Sequence, residues 1–331
     1  MELFFGGAGL RRITLAFSTH RPETLPAAER LMRRHGLILL EEPPVPEFLR
    51  MKSGELSIEE YLQGQDFEFP VHAEGMCRLV RELTREGRTV LQVEPYLEYL
   101  NEIHELFAGG GSASDIAPGS PAAGVYQVER LATKALVDYY RTSLDGSFEA
   151  VVEAVKTFAR ADARRLRLRD FMRAAAVSEL LGRHKEERLY VEAGYIHWGL
   201  WRELHRLVRG IAGIRPLFLM EPVVRPMTGR RQALGPGDRL TLAYVFHPGA
   251  VSATLDLLAA RSLVYIKILI KEEENKQAAE FPHTRDEMDC IRAVQGLSFE
   301  ECKLLFLRMR LESTSRARAV VEDFLSRRGG V

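Results

Sequence analysis

Two kinds of apolar pattern alternate along the chain. Residues 12–19, RITLAFST, form a nearly continuous apolar run rich in β-branched and aromatic residues, with His20 directly after it; this predicts a strand. Residues 22–36, PETLPAAERLMRRHG, place Leu25, Ala28, Leu31 and Met32 at helical spacing before Gly36. Residues 37–44, LILLEEPP, are again a short apolar run, closed by two glutamates and two prolines. Strand, helix and strand at this spacing make a βαβ unit, and an unbroken apolar run fits a parallel strand covered on both faces.

The alternation continues. The pattern predicts a helix over 71–87 and a strand over 88–96 (RTVLQVEPY). The stretch 108–124, AGGGSASDIAPGSPAAG, is too rich in Gly, Ser, Ala and Pro to pack and reads as a mobile loop or hinge. Helical spacing resumes over 125–186, with one break near 143–147, SLDGS. Further strands are predicted over 188–192, 216–221 (PLFLME), 239–246 (RLTLAYVF) and 262–270 (SLVYIKILI), with a helix from about Trp198 and two more from 284. No fixed-period repeat is present. The predicted fold class is α/β, a mostly parallel sheet with helices on both faces. It is drawn as a single α/β domain over 1–331, with 125–186 as a helical insertion or cap and 284–331 as C-terminal helices.

The strand ends carry the chemistry. LILLEEPP, TVLQVEPY, RLYVEAGY and LFLMEPVV each close on glutamate: Glu41 with Glu42, Glu94, Glu192 and Glu221. Three of the four continue into proline, which ends a ladder and turns the chain outward. LAFSTH and LAYVFH close on His20 and His247. The carboxyl ends of parallel strands share one edge, and ligands bind in the crevice beyond it. Parallel neighbours would therefore gather glutamates and histidines at one rim, His197 among them. Glu41 and Glu42 are adjacent, so a strand would turn them to opposite faces. Glu94 and Glu221 also suit plainer roles, capping turns or pairing with neighbours such as Arg225. Clustered carboxylates with imidazole suit a divalent ion such as Mn, Fe, Co or Zn. They equally suit metal-free acid–base chemistry on a bound water.

Composition removes some alternatives. In 331 residues, 46 Lys+Arg balance 46 Asp+Glu, so the formal net charge is zero and nothing favours nucleic acid or an anionic membrane as partner. Cys77, Cys290 and Cys302 form no CxxC pair, so neither a disulfide framework nor a thiolate zinc site is expected. The start, MELFFGGAGLRR, lacks the build of a secretory signal, and no apolar run approaches the ~18–20 residues of a membrane span. A soluble cytoplasmic protein is the expectation; no pattern fixes its oligomeric state.

FSTH with His20, LLEEPP with Glu41 and Glu42, VEAGYIHWG with His197, and LRLRDFMRAAAVSELL at 166–181 occur in an order that resembles the TraB/PrgY, Tiki, ChaN and erythromycin-esterase superfamily. The likeness covers roughly residues 12–205. The chain has Leu168 where an E-R-D motif would carry Glu, STH in place of a glycine-led turn, and two residues between Gly194 and His197. The resemblance implies a cleft where acidic and histidine residues of two βαβ halves meet. It further implies metal-dependent proteolysis, as in Tiki-like members, ester opening by His and Glu, as in erythromycin esterases, or haem binding, as in ChaN-like members. Carried over, His20 and His197 would be metal ligands or acid–base groups, with Glu192 a further ligand from the strand-end pattern. Glu41 or Glu42 would orient or activate water, and Arg169 would bind a carboxylate or an oxyanion. The expected function is a hydrolase of ester or amide bonds in a small-molecule or peptide substrate, with or without a divalent metal. The alternatives are a haem or small-ligand binding protein, with His197 and Trp198 at the ligand, or a non-catalytic regulator.

Remaining features read plainly. GGAG at 6–9 lacks a phosphate-loop pattern and reads as a turn. The arginines of RADARRLRLRD (160–170) read as a solvated helix face, and IKEEENKQ (270–277) reads as an exposed charged segment.

Overall fold

A computed structural model describes residues 11–65, 67–186, 188–273 and 280–328. The GGAG stretch and the second half of IKEEENKQ lie outside the described residues. The first elements are β1 (Arg11–Ser18), α1 (Leu25–Met32), β2 (Leu37–Leu40), α2 (Pro46–Ser53), α3 (Ile58–Gln63), α4 (Pro70–Arg85) and β3 (Thr89–Gln92). Next come α5 (Pro95–Ala108), α6 (Pro121–Asp145), α7 (Phe148–Arg183), β4 (Arg188–Gly194), α8 (Trp198–Leu207) and β5 (Ala212–Phe218). The rest is helical: α9 (Glu221–Thr228), α10 (Pro236–Phe246), α11 (Ala253–Ile268), α12 (Pro282–Gln295), α13 (Phe299–Met309) and α14 (Thr314–Arg328).

The fold is α/β. Where the sequence pattern drew one domain with 125–186 inserted, the chain divides into two compact units. The first holds residues up to Glu98 together with Arg169–Leu219, and the second holds Tyr99–Leu168 together with the chain from Met220. The helix break near 145 is present, between α6 and α7, but α7 is shared. Its last turns, from Arg169, belong to the first unit.

The first unit is built on a five-stranded parallel sheet in the order β3-β2-β4-β1-β5. In-register parallel residues share a face, so the alternation sorts two cores. Ile13, Leu15, Phe17, Leu189 and Val191 pack with Ala174, Val177 and Leu181 of α7 and with Leu200 and Leu204 of α8. Ala16, Ile38, Leu40, Val90 and Tyr190 pack on the other side with Ala28 and Met32 of α1 and with α4. Both faces are covered, which is why β2 is apolar throughout.

β5 runs over 212–218, earlier than the expected 216–221, and contains Pro216. Among the described residues it pairs only with β1, and an edge strand tolerates a residue without an N–H. Glu221 therefore does not end a strand; it opens α9, where its carboxylate meets Arg225 at 3.1 Å and Arg231 at 2.9 Å.

The second unit corrects two more strands. RLTLAYVF lies in α10, begun by Pro236 with the Asp238 carboxylate accepting from the Gly235 N–H at 2.9 Å. SLVYIKILI lies mostly in α11, whose N-cap Ser252 accepts from Leu255 N–H. α11 contacts α10, α12, α13 and α14. Leu255, Leu258, Ala259, Ala260, Leu263, Val264, Tyr265 and Ile268 are all buried, so its run is apolar all round because it is a core helix. A short apolar run alone does not separate that case from a buried strand. His247 caps α10 instead of ending a strand. The C-terminal segment forms three helices where two were expected, since Ser313 starts a new one by accepting from Arg316 N–H. Among the described residues, no helix is long and apolar enough to cross a membrane.

Candidate functional site

The carboxyl edge of the sheet in the first unit brings His20, Glu41, Glu42, Glu94, Glu192 and His197 together. β1 ends at Ser18, whose Oγ accepts from the His20 N–H at 3.0 Å. His20 then adopts a left-handed backbone, φ +52°, a conformation that costs a non-glycine residue about 1 kcal/mol or more. Gly194, the last residue of β4, marks the centre. A Cβ built there would lie 3.2 Å from His197 Cδ2, 3.5 Å from Glu41 Oε2 and 3.7 Å from His20 Cε1.

Glu41 is the most connected side chain. Its Oε1 accepts from Arg169 Nη2 at 2.9 Å and from His197 Nε2 at 2.9 Å. Its Oε2 accepts from the Gly194 N–H and lies 3.4 Å from Arg173 Nη1. Burial opposes ionisation of Glu41, but His197, Arg173 and Arg169 together outweigh it and hold the carboxyl well below the usual range. His197 Nδ1 donates to Asp170 Oδ1 at 2.5 Å. Burial works against the imidazolium, yet Glu41 and Asp170 push its pKa up to about 9.

The α7 side of the site is thus a buried ion network. Arg169, Asp170 and Arg173 enter from successive turns of α7, and Arg173 is 1% exposed. Its Nε donates to the Val93 carbonyl at 2.9 Å. Glu94, fully buried two residues beyond β3, lies 3.3 Å from Arg169 Nε and 3.6 Å from Arg173 Nε. Burial raises the Glu94 pKa against the pull of those two guanidinium groups.

The opposite side is poorly paired. Glu192 Oε2 accepts only a long bond, 3.3 Å, from the Glu41 N–H, and Oε1 has no hydrogen-bond partner among the described residues. Burial, and then the negative charge of Glu41, push Glu192 up to about 7. His20 Nε2 lies 3.9 Å from Glu192 Oε1, with the His20 side chain partly exposed. Desolvation lowers the His20 pKa, opposed by Glu41 and Glu42, so the ring is neutral at pH 7. Glu42 accepts from Gln92 Nε2 at 2.8 Å, and its pKa is raised by burial despite that bond. The two adjacent glutamates both lie just past the end of β2 and take different partners. Glu41 joins the α7 network and Glu42 turns to Gln92, yet both remain close enough to act on His20.

His20, Glu192 and His197 do not fit the role of a metal-ligand trio. Both ring nitrogens of His197 are engaged by carboxylates, Nε2 by Glu41 at 2.9 Å and Nδ1 by Asp170 at 2.5 Å, so neither faces an open position for an ion. Among the described residues, no group of three or more His, Cys, Asp or Glu side chains is arranged to hold a metal. The same bonds leave His197 without a nitrogen for haem iron, and Trp198 packs into the core beside Phe218, ring centroids 5.8 Å apart.

Asp170 and Arg173 stand outside the strand-end pattern. The signal for them lies in α7: they occupy the helical stripe of Ala174, Val177 and Leu181, which is buried. Charged residues on an apolar stripe require partners of opposite charge, and the strand ends supply them.

No family model matches the chain, and no solved structure matches it. It is similar to an uncharacterized protein of Archaeoglobus fulgidus, 28% identical over 295 residues, covering 89% of this chain and 97% of that one.

Proposed function

We propose that the protein is a hydrolase of ester or amide bonds in which His20 and Glu192 move protons without a metal. The observation that carries this reading is the pair itself: a neutral, partly exposed imidazole 3.9 Å from a buried carboxyl titrating at about 7. General acid–base catalysis is most effective when a group titrates near the working pH. In the forward step, His20 Nε2 takes a proton from water as the water oxygen bonds to the acyl carbon. Protonated Glu192 gives its proton to the leaving alcohol or amine as the acyl bond breaks. His20 then returns its proton to the Glu192 carboxylate, a transfer for which the two side chains are already neighbours.

The α7 network orients this pair. Arg169, which is 22% exposed at its side chain, presents the cation closest to solvent and is suited to hold a substrate carboxylate or a developing oxyanion. Asp170 and Glu41 fix His197 and keep its charge. The order of FSTH, LLEEPP and VEAGYIHWG supports a place in the TraB/PrgY, Tiki, ChaN and erythromycin-esterase superfamily, whose esterases use His and Glu. All three cysteines are buried and unpaired, which supports a reducing, cytoplasmic setting.

The test is a panel of activated esters and short peptides, assayed with wild type, His20→Asn and Glu192→Gln in the presence of EDTA. The expected result is turnover in wild type that EDTA leaves unchanged and that each variant lowers at least about 100-fold. Turnover that survives both substitutions, or that EDTA abolishes, would overturn the assignment.

A further inference from the structure

At the amino end of the same sheet, opposite the strand ends just described, lies a cavity of about 500 Å³. Arg12, Arg34, Arg188 and Arg215 line it, and among the described residues no carboxylate does. The strand register explains the convergence. Arg12 pairs with Arg188 across β1 and β4, and Thr14 pairs with Arg215 across β1 and β5. These positions share one face, so three strands deliver three guanidinium groups to one spot. Arg34 is added from the turn after α1. Like charges on neighbouring strands are unfavourable, and none of the four has an ion-pair partner among the described residues. Glu186, which packs on Gly36 nearby, faces His184 at 3.7 Å. In a chain with formal net charge zero, this is a local concentration of positive charge that no carboxylate among the described residues pairs with.

The interior of the cavity is different. Leu31 and Leu217 give it apolar walls. At its base Thr14 Oγ1 meets His35 Nε2 at 2.8 Å, and His35 Nδ1 meets the Leu31 carbonyl at 2.7 Å. The His35 ring is therefore fixed and fully bonded. Its pKa is lowered by burial and then by Arg188, Arg34 and Arg88, which keeps it neutral. A cationic rim over apolar walls and a rigid floor matches a ligand with an anionic end and a flat or apolar body, and the volume is that of an ordinary small-molecule site.

We propose that this cavity binds a nucleoside phosphate, with the phosphates held by the arginine rim and the base against Leu31 and Leu217. Guanidinium forks bind phosphate oxygens in pairs, which is the chemistry that four arginines gathered on one rim can offer. The site is separate from the acid–base pair, so its occupancy does not depend on the proposed hydrolysis.

The experiment is calorimetric titration of the full chain with ADP, adenosine and inorganic phosphate at low and moderate salt. ADP is expected to bind at least about tenfold more tightly than adenosine and than phosphate, with the advantage over adenosine shrinking as salt rises. Arg188→Ala and Arg215→Ala, both exposed positions, are each expected to weaken ADP about tenfold or more, and Glu192→Gln to leave ADP binding unchanged. Absence of saturable ADP binding overturns the proposal. So does equal affinity for ADP and phosphate, or ADP binding that both arginine variants leave intact. Displacement of ADP by a short single-stranded oligonucleotide binding far more tightly would reassign the rim to nucleic acid.

Discussion

Replacing Glu192 with glutamine should make the protein more stable at neutral and alkaline pH while it removes activity. An unfolded glutamate titrates near 4.5, whereas burial and the Glu41 charge move the folded side chain up to about 7. A folded pKa above the unfolded one contributes stability that is fully present below pH 4.5 and is lost as pH rises through about 7. At about 1.36 kcal/mol per pH unit, the gap between 4.5 and about 7 corresponds to about 3 kcal/mol. Glutamine keeps an acceptor for the Glu41 N–H and has no charge to bury. Glu192→Gln should therefore match wild type at pH 4.5 and exceed it by up to about 3 kcal/mol at pH 8. His197 titrates in both proteins and cancels in the difference. Guanidinium unfolding at pH 4.5, 6, 7 and 8, followed by far-UV circular dichroism, measures this as a midpoint shift at constant slope. A stability difference that is the same at all four pH values, or a loss at pH 8, would refute the placement of a strained carboxyl at this point.

Other outcomes follow from the α7 network. Glu41→Gln leaves Arg169, Arg173 and His197 without their shared counter-charge, and should lower stability by about 3–5 kcal/mol in thermal or denaturant unfolding. His197 should titrate at about 9 by NMR, and Asp170→Asn should bring that value down. Because its folded pKa is raised, the stability that His197 contributes is whole below pH 6.5 and disappears as pH rises through about 9. Gly194→Ala places a methyl 3.2 Å from His197 Cδ2 and 3.5 Å from Glu41 Oε2. It should cut turnover more than tenfold for a stability loss of about 1–3 kcal/mol, measured by esterase assay beside thermal unfolding.

The sheet edge was legible because parallel strands leave a plain record. LILL, TVLQ and RLYV are largely apolar runs, and each is followed within two residues by a glutamate: Glu41 just past β2, Glu94 two residues past β3, and Glu192 still inside β4, which runs on to Gly194 where a strand end at 192 was expected. β1, β2, β3 and β4 all appear, and their ends meet. The second unit was not legible in the same way. In α10 and α11 the apolar run that would mark a buried strand instead marks a helix enclosed by other helices, and periodicity does not distinguish the two. The start signals were there: Pro236 with Asp238 stands directly before the first apolar stretch, and Ser252 lies ten residues upstream of the second. His247 and Glu221 left the rim with those misplaced strands. Asp170 and Arg173 escaped for the opposite reason: a helix rich in arginine reads as solvated until the strands it covers are known.

The two faces of the sheet also divide the chemistry, and the division runs against connectivity. Glu41 touches more of the site than any other residue, yet three cations hold it ionised, so it has no proton to give near neutral pH. Glu192 has one long bond and an unpartnered oxygen, and that poverty of partners puts its titration at about 7. The two are coupled in opposite directions. The Glu41 carboxylate raises Glu192, while the Glu41 backbone N–H lowers it. The buried network therefore acts on the reactive pair chiefly by remaining charged. A permanently ionised glutamate on one face of the sheet keeps a second glutamate, on the other face, protonated often enough to act as an acid.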